Sequence, residues 1–345
     1  MKNENELVIP LGIQYTSLHH IDHNTGIITA IDIDSQSEAL RQYIERLLAD
    51  IKERNSKRSF IFNSNTTEIR SSITLFMSED YEKATEINAK RLLKVEQEAQ
   101  EDMDKLNISI QKGSLFQTII NVDIETKMII IGKADHNDFL DASDFAIHRG
   151  LPWKKRIFKS FLAITDHQNN IKKVLVSDTT NALTKYWWHS FLELTEERTD
   201  SHNTKKFLEI IDRKVLDRIK DKFPADHTIL RNSVIGHFRS QADFDLDNMF
   251  TPIFENYPPI ENDFPINDIQ SRIKEIPEKY NLDSQFQIDK KEINKRAVHK
   301  VVLNEGMELL LNGAPDLDKI TAFVDNENNK YIAIKSEEGY KRFKK

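Results

Sequence analysis

LPWKKRIFKSFLAI at residues 151–164 and HNTKKFLEIIDRKVLDRIK at residues 202–220 lie in the stretch that sets the organisation of this chain. Residues 151–222 carry 15 Lys and Arg against 10 Asp and Glu. Residues 1–150 carry 17 against 25 and residues 223–345 carry 17 against 21, which gives the whole chain a formal net charge of −7. A basic, aromatic-rich middle between acidic flanks is typical of a surface that binds a polyanion.

The basic residues of this middle fall into two groups. In residues 153–162, cations are interleaved with aromatic and aliphatic residues, a pattern that suits phosphate binding but also an amphipathic strand or short helix. A second group surrounds the polar side of a helix predicted from Asn203 or Thr204 to Lys222. The predicted phosphate contacts are Lys154, Lys155, Arg156, Lys159, Lys205, Lys206, Arg213 and Lys214.

Two adjacent tryptophans, Trp187 and Trp188, lie in the run ALTKYWWHSFLEL (182–194), whose apolar residues have helical spacing. Neighbouring residues cannot both lie on one narrow face of a helix. Burying a tryptophan contributes about 2–3 kcal/mol or more. One of the two is therefore predicted to contact a partner domain, a subunit or a ligand, and both are assigned to an interface.

Residues 1–150 are predicted to form an N-terminal α/β domain. Two strands from Ile13 to Ile33 flank Asn24-Thr25-Gly26, which suits a hairpin turn. A long helix opens near Ser78 and ends near Lys105. Apolar strands on both sides of residues 123–127 form a second hairpin, and Gly150 marks the domain boundary.

Residues 151–345 are predicted to hold the basic helical segment and a C-terminal domain that contains β-strands. The composition changes beyond Pro224 to an acidic, aromatic and proline-bearing connector. Strands near the C-terminus are joined by the polar turn 325–329 and predict a small antiparallel sheet. The fold class expected for the whole chain is α+β.

Asp123, Glu125 and Lys127 match the pattern D-x-E-x-K. Two carboxylates can hold a magnesium ion while a lysine offsets charge that develops on a phosphodiester. Charged residues are also what a turn between two strands normally carries. A pattern this short recurs by chance, so these three residues form only the alternative catalytic site.

His19, His20 and His23 form an HHxxH pattern on the first strand and its turn. They would bind a metal if strand alternation and the turn brought two of them together. No acidic partner is placed by the spacing. Partly buried packing is the favoured interpretation of histidines on a strand, and no metal site is predicted.

The composition limits the class of protein. A chain of 345 residues with 39% hydrophobic and 30% charged residues is long enough for two or three cores. The absence of cysteine removes thiol nucleophiles and thiolate metal sites, and predicts a reducing, cytoplasmic location. No long uncharged apolar window and no apolar segment behind a basic start occurs, so neither membrane spanning nor secretion is expected.

Motifs of nucleotide and hydrolase chemistry are missing from the sequence. G-x-x-x-x-G-K-[ST], G-x-G-x-x-G after a strand, G-x-S-x-G and H-E-x-x-H do not occur. Only nine glycines are present, which leaves little material for phosphate-cradling loops. We therefore predict no cofactor. A binding protein is favoured over an enzyme, and the question of an enzymatic activity stays open.

The chain resembles the bacterial 37-kilodalton nucleoid-associated protein family over nearly its whole length. The strongest part is SDTTNALTKYWWHSFLELTEERTDSHNTKKF (177–207). The other shared features are LHHID (18–22), a long helix before GSLF (113–116), ADHNDFLD (134–141), KKRIFKS (154–160), NEGMELLL (304–311) and YIAIKSEEGYKRF (331–343). The resemblance implies a cytoplasmic, nucleoid-associated α+β protein that binds DNA without a known enzymatic activity. It supplies no catalytic residues.

The function expected from the sequence is sequence-tolerant binding of double-stranded DNA through a local basic patch. A net charge of −7 repels DNA at long range, so contacts must be local and sensitive to salt. A homodimer is expected, because closed twofold symmetry doubles such contacts. The alternative is a metal-dependent nuclease or phosphodiesterase, or a protein-interaction component of a phage-defence system.

Overall fold

The computed structural model describes residues 12–105, 109–154, 158–166, 168–180, 182–294, 298–312 and 316–344. The chain divides into two compact units. Unit 1 comprises Met1–Asn203, Asp243–Asn248 and Lys274–Gln287, and unit 2 comprises Thr204–Ala242, Met249–Ile273 and Ile288–Lys345. The combination of helices with antiparallel sheets confirms the predicted α+β class.

An eight-stranded antiparallel sheet forms the centre of unit 1. Its order is β10-β3-β9-β8-β5-β4-β1-β2, and two small two-stranded sheets, the hairpin β6–β7 and the pair β11–β12, accompany it. The strands are β1 (Gly12–Asp22), β2 (Ile27–Ile31), β3 (Arg58–Phe62), β4 (Gly113–Asn121), β5 (Lys127–Asp135), β6 (Asn137–Leu140), β7 (Ile147–Gly150), β8 (Phe158–Thr165), β9 (Ile171–Asp178), β10 (Leu194–Glu196), β11 (Asp243–Asp245) and β12 (Gln285–Gln287).

Helices cover both faces of this sheet, so the strands bury side chains in both directions. The helices are α1 (Glu38–Glu53), α2 (Glu68–Met77) and α3 (Tyr81–Asp104). α1 packs on one face, whereas α2, α3 and the π-helical turn Tyr186–Phe191 pack on the other. Successive side chains of a strand point to opposite faces. Leu115 of β4 accordingly packs in the core on the face covered by α2 and α3, and its neighbour Phe116 packs in the core on the face covered by α1.

The local turn chemistry of unit 1 follows the sequence. The Asp22 carboxylate accepts hydrogen bonds from the backbone N–H groups of Asn24 and Thr25, and Gly26 takes a φ of 71°, which glycine adopts without strain. These contacts close the predicted hairpin β1–β2. The second predicted hairpin is β4–β5, and the long predicted helix is α3.

The domain boundary predicted at residue 150 is wrong. β5 precedes it and β8 follows it, yet the two are adjacent antiparallel strands with Ala134 opposite Phe158 and Lys127 opposite Thr165. Gly150 ends the small hairpin β6–β7, which is inserted between these two strands. The glycine does mark the end of a structural element, but that element is a hairpin inserted within one sheet and not a domain.

Unit 2 is mainly helical. α4 extends from residue 200, and its part from Thr204 belongs to this unit; a π-helical turn and a 3-10 turn continue it to Arg218. The C-terminal strands form two separate hairpins, β13–β14 and β15–β16, and not one sheet. The elements introduced here are α4 (Asp200–Ile210), α5 (Pro224–Ser240), α6 (Leu246–Phe250), α7 (Ile266–Lys279), α8 (Lys290–Asn294), β13 (Val298–Asn304), β14 (Met307–Asn312), β15 (Ile320–Val324), β16 (Lys330–Ile334) and α9 (Glu337–Phe343).

Candidate nucleic-acid interface

A basic stripe lies on the exposed side of α4 and the two helical turns that follow it. Exposed pairs at 205–206 and 213–214 alternate with buried residues at 207–208 and 210–211. This alternation is the helical period, so the apolar residues enter the core while the cations face solvent. The stripe consists of Lys205, Lys206, Arg213, Lys214 and Arg218. Four of its five members are predicted phosphate contacts.

Carboxylates compete for part of this stripe. Glu209 lies 3.5 Å from the Lys206 ammonium and 3.4 Å from the Arg213 guanidinium. Lys205 and Lys214 form no ion pair with any carboxylate in the described part of the chain. Exposed ion pairs are weak and readily exchanged. Lys205 and Lys214 are thus the cations most available to an external anion.

Two of the other predicted phosphate contacts, Lys154 and Lys159, belong to unit 1. Lys154 is exposed in unit 1, after Trp153, whose ring stacks under the Arg46 guanidinium at 4.7 Å. Lys155 and Arg156 lie outside the described residues. Lys159 is wrong as a surface contact, because its side chain is only 8% exposed and its ammonium lies 3.0 Å from the Asp135 carboxylate.

Lys159 belongs instead to a buried ion network inside unit 1. The Asp135 carboxylate lies 3.0 Å from Lys159 and 3.4 Å from Lys133. Lys133 is 2.6 Å from Glu96 on α3, and Glu96 is 3.6 Å from the His23 ring. These five residues are the buried ion network. Each ion has a partner of opposite charge, which buried charges require.

Burial and pairing act in opposite directions on these groups. Burial alone would lower the pKa of the Lys133 ammonium, but Glu96 and Asp135 hold it above its usual value. Burial would likewise raise the pKa of Glu96, yet Lys133 and His23 hold it below the usual range. Both residues are therefore charged near neutral pH.

Sequence reasoning missed this network. A signal was present, because Lys133 and Asp135 stand two residues apart in the apolar strand β5 and so point to one face. Gly113 of β4 leaves room for them: a Cβ at that position would lie 2.7 Å from Cε of Lys133 and 2.6 Å from the Ala134 carbonyl oxygen. A fully enclosed network holds the end of the sheet together and has little access for a substrate.

The two tryptophans have different environments. Trp187 is 1% exposed and packs on Phe191 with ring centroids 4.9 Å apart, so its assignment to an external interface is wrong. Trp188 is half-buried beside Phe60 and lines a cavity of about 330 Å³ together with Arg58. The residues form a π-helical turn and not the predicted regular helix, and Trp187 and Phe191 of this turn are buried.

The alternative catalytic residues occupy the exposed turn between β4 and β5. The Asp123 carboxylate accepts the backbone N–H of Glu125 at 2.8 Å and thereby shapes the turn. Within the described ranges, the group of three potential metal ligands that lie close together is elsewhere, at Asp212, Asp217 and His227. Among the residues described, Asp123 therefore belongs to no group of three potential metal ligands.

The group at Asp212, Asp217 and His227 lies in unit 2. The Arg231 guanidinium is 2.7 Å from Asp212, so a cation already neutralises that carboxylate. His227 is 4.0 Å from Asp217. An arginine in contact with a ligand carboxylate opposes a second positive charge at the same place. The three residues therefore form an ion-pair cluster with Arg231, next to the basic stripe along the chain.

No protein-family model matches the chain, and no curated protein or solved structure is similar enough to count as a match. The resemblance to nucleoid-associated proteins therefore lends no residue roles here. In the ranges that the structure describes, no helix has both the length and the apolar character needed to cross a membrane. The function has to be argued from the chemistry of the surface.

Proposed function

We propose that the protein binds double-stranded DNA with little sequence preference, using the basic stripe of unit 2. The observation that carries this proposal is that Lys205, Lys206, Arg213, Lys214 and Arg218 are all exposed along one continuous helical segment. Lysine and arginine side chains at such positions contact phosphate oxygens, which position a duplex without specifying its bases.

The dimensions of the stripe suit a duplex. Nine residues separate Lys205 from Lys214, which corresponds to about 13 Å along a helix. This length matches the roughly 12 Å width of the major groove of B-DNA. Cations at the two ends of such a segment project in different directions and can contact separate phosphates of one duplex.

Binding of this kind is local and depends on salt. The overall charge of −7 opposes DNA at long range, and this repulsion weakens beyond about 10 Å at moderate ionic strength. Each neutralised phosphate releases counterions, so the affinity falls log-linearly with salt. A second copy of the chain doubles the number of stripes, and we include a homodimer in the proposal.

The test is a salt series of binding to a random-sequence duplex, measured by fluorescence anisotropy. The variant Lys205→Glu/Lys214→Glu is compared with Lys83→Glu/Lys94→Glu, which makes the same charge change at exposed lysines of α3. The stripe variant should weaken binding to all duplexes and reduce the salt slope by about two. The control should bind almost as the unaltered protein does.

Two outcomes contradict the proposal. If both double variants bind DNA as well as the unaltered protein does, or if both lose affinity to the same extent, the basic stripe is only a solvent-exposed face of a helix and does not contact DNA. Including magnesium and examining the DNA afterwards tests the alternative nuclease in the same samples. If the DNA is cut, and if Glu125→Gln abolishes the cutting, the main function is catalysis and not binding.

A further inference from the structure

One edge of the central sheet is only partly covered. β1 pairs with β4 from Gly12 to Ile21, with a bulge between Ile13 and Tyr15, but β2 pairs with β1 only from Leu18 to Asp22. Within the described chain, no strand pairs with the other side of Ile13–Ser17. An open edge of about five residues is about 17 Å long and presents unpaired backbone donors and acceptors.

A cleft of about 980 Å³ lies beside this open edge, entirely within unit 1. Alternate residues of β1, namely Tyr15, Ser17 and His19, point towards α3 and form its floor. Residues of the first half of α3 form one wall, and the end of β2 with residues 32–34 forms the other. The Tyr15 ring stacks on Tyr81 at 4.8 Å, which fixes one end of the floor.

Two polar atoms of the floor are left without partners. Ser17 and His19 are each 8% exposed, and neither Ser17 Oγ nor His19 Nδ1 has a hydrogen-bond partner among the described residues. Buried polar atoms are nearly always paired, and unpaired ones mark a missing ligand or a functional site. Burial lowers the pKa of His19, partly opposed by Glu86, so the ring is neutral near pH 7.

The rim of the cleft is acidic. Asp32 and Asp34 line one side, and Glu82 and Glu86 line the other. Glu86 already pairs with Lys90 at 2.6 Å, and the Arg41 guanidinium lies 3.9 Å from Asp34. Four carboxylates with two cations near them leave an excess of negative charge, which favours a positively charged ligand.

We propose that this cleft binds an extended segment of a partner protein that adds to β1 along Ile13–Ser17 as a further strand. Main-chain hydrogen bonds to an open edge supply affinity, and alternate side chains supply specificity. A lysine or arginine of the segment meets Glu82 and Glu86. A hydroxyl or amide side chain two residues away bonds to Ser17 and His19.

The charges favour a partner over the chain itself. Residues 1–11 carry Lys2 against Glu4 and Glu6, and the whole chain carries −7. The N-terminal segment does not complement an acidic cleft, and the basic stripe of a second copy is helical and cannot add to β1 as an extended strand. A basic, unfolded or loop segment of another protein can do both.

The experiment uses synthetic peptides that repeat Thr-Thr-Lys-Lys, which place a threonine and a lysine two residues apart on the same face of a strand, with repeats of Thr-Thr-Glu-Glu as the matched probe. Affinity is measured by fluorescence anisotropy, and amide hydrogen exchange reports on residues 13–17. The basic peptide should bind the full chain and slow exchange in that segment. The acidic peptide should do neither.

Variants separate the floor from the rim. Ser17→Ala removes the hydroxyl without adding volume to the floor, and Glu82→Gln/Glu86→Gln removes the rim charge. Each should weaken binding of the basic peptide by about fivefold, the order expected for one hydrogen bond or two exposed ion pairs. The control Glu98→Gln/Glu101→Gln, in the second half of α3 and outside the cleft lining, should bind normally.

Three results overturn the proposal. The first is equal binding of both peptides or of neither. The second is strong protection, in the protein alone at all concentrations, of those amides of residues 13–17 that face away from β4, which would mean that a segment of this chain fills the edge. The third is protection that rises with protein concentration without peptide, which would assign the edge to a second copy.

Discussion

Lys133 of β5 and Glu96 of α3 form an ion pair in which the Lys133 ammonium lies 2.6 Å from Oε1 of Glu96, and neither side chain is accessible to solvent. The pair joins the central sheet to the longest helix of unit 1. Two charges removed from water are tolerated only when each retains its partner. This relationship makes the end of the sheet sensitive to single substitutions.

Lys133→Met should destabilise unit 1 by about 3–5 kcal/mol, because it leaves Glu96 and Asp135 buried with less compensation. Denaturant unfolding followed by tryptophan fluorescence measures the change. The matched control is Lys90→Met, which breaks an exposed pair of the same 2.6 Å length and should change stability little. Similar losses in both variants would show that burial does not set the strength of the Lys133 pair.

Gly113→Ala should destabilise the protein by about 1–3 kcal/mol through overpacking. The new Cβ would lie 2.6 Å from the Ala134 carbonyl oxygen and 2.7 Å from the Lys133 stem, so a strand or the network must shift. Thermal unfolding gives the comparison with Gly150→Ala, whose closest neighbour would be 3.3 Å away on the Phe139 ring. An unchanged melting temperature for Gly113→Ala would mean that the sheet has more room than the geometry indicates.

Stability should fall as the pH drops from about 6.5 towards 4, and His136 should cause part of that fall. Burial, with the nearby charges of His20 and Lys133, lowers the pKa of His136 to about 4. The unfolded chain binds a proton near the usual value of 6.5 while the folded chain does not, so acid favours unfolding in this window. His136→Gln should flatten the pH profile of the melting temperature, whereas His148→Gln, at an exposed histidine, should leave it steep. A profile that is equally steep in both variants would assign the acid sensitivity to other groups.

The expected homodimer should depend on the hairpin β6–β7, which exposes apolar side chains. Phe145 and Ile147 are each 76% exposed, and Phe145 adopts a strained φ of 51°. Phe145→Asp/Ile147→Asp should therefore reduce the molar mass measured by light scattering from twice 40.3 kDa towards the monomer value. Ile124→Asp changes an exposed residue of another turn and should not reduce it. A monomeric mass for the unaltered protein, or a dimer that persists in the hairpin variant, would count against this surface.

Short-range structure was predictable from the sequence, because it depends on neighbouring residues. Turn residues placed the hairpins β1–β2 and β4–β5, and helical spacing placed α3 and the exposed cations of α4. Lys159 could not be assigned in the same way. It stands in β8 among residues buried on both faces, so the strand shows no alternation, and its partner Asp135 is 24 residues away.

The long-range pairing of strands was beyond such reasoning. β3 pairs with β9 and β10, and Arg58 lies opposite Val176. No local pattern specifies partners at that separation. The π-helical turn at Trp187 was missed for a related reason, because tertiary packing overrode the helical spacing of its sequence.

The placement of β3 between β9 and β10 has a consequence for how the protein is made. A ribosome synthesises about 5–20 residues each second, so β3 emerges several seconds before either neighbouring strand exists. During that interval neither edge of β3 has a strand of this sheet to pair with. The nascent chain therefore passes through a stage in which part of its sheet has unpaired edges, and such edges are what chaperones cover during translation.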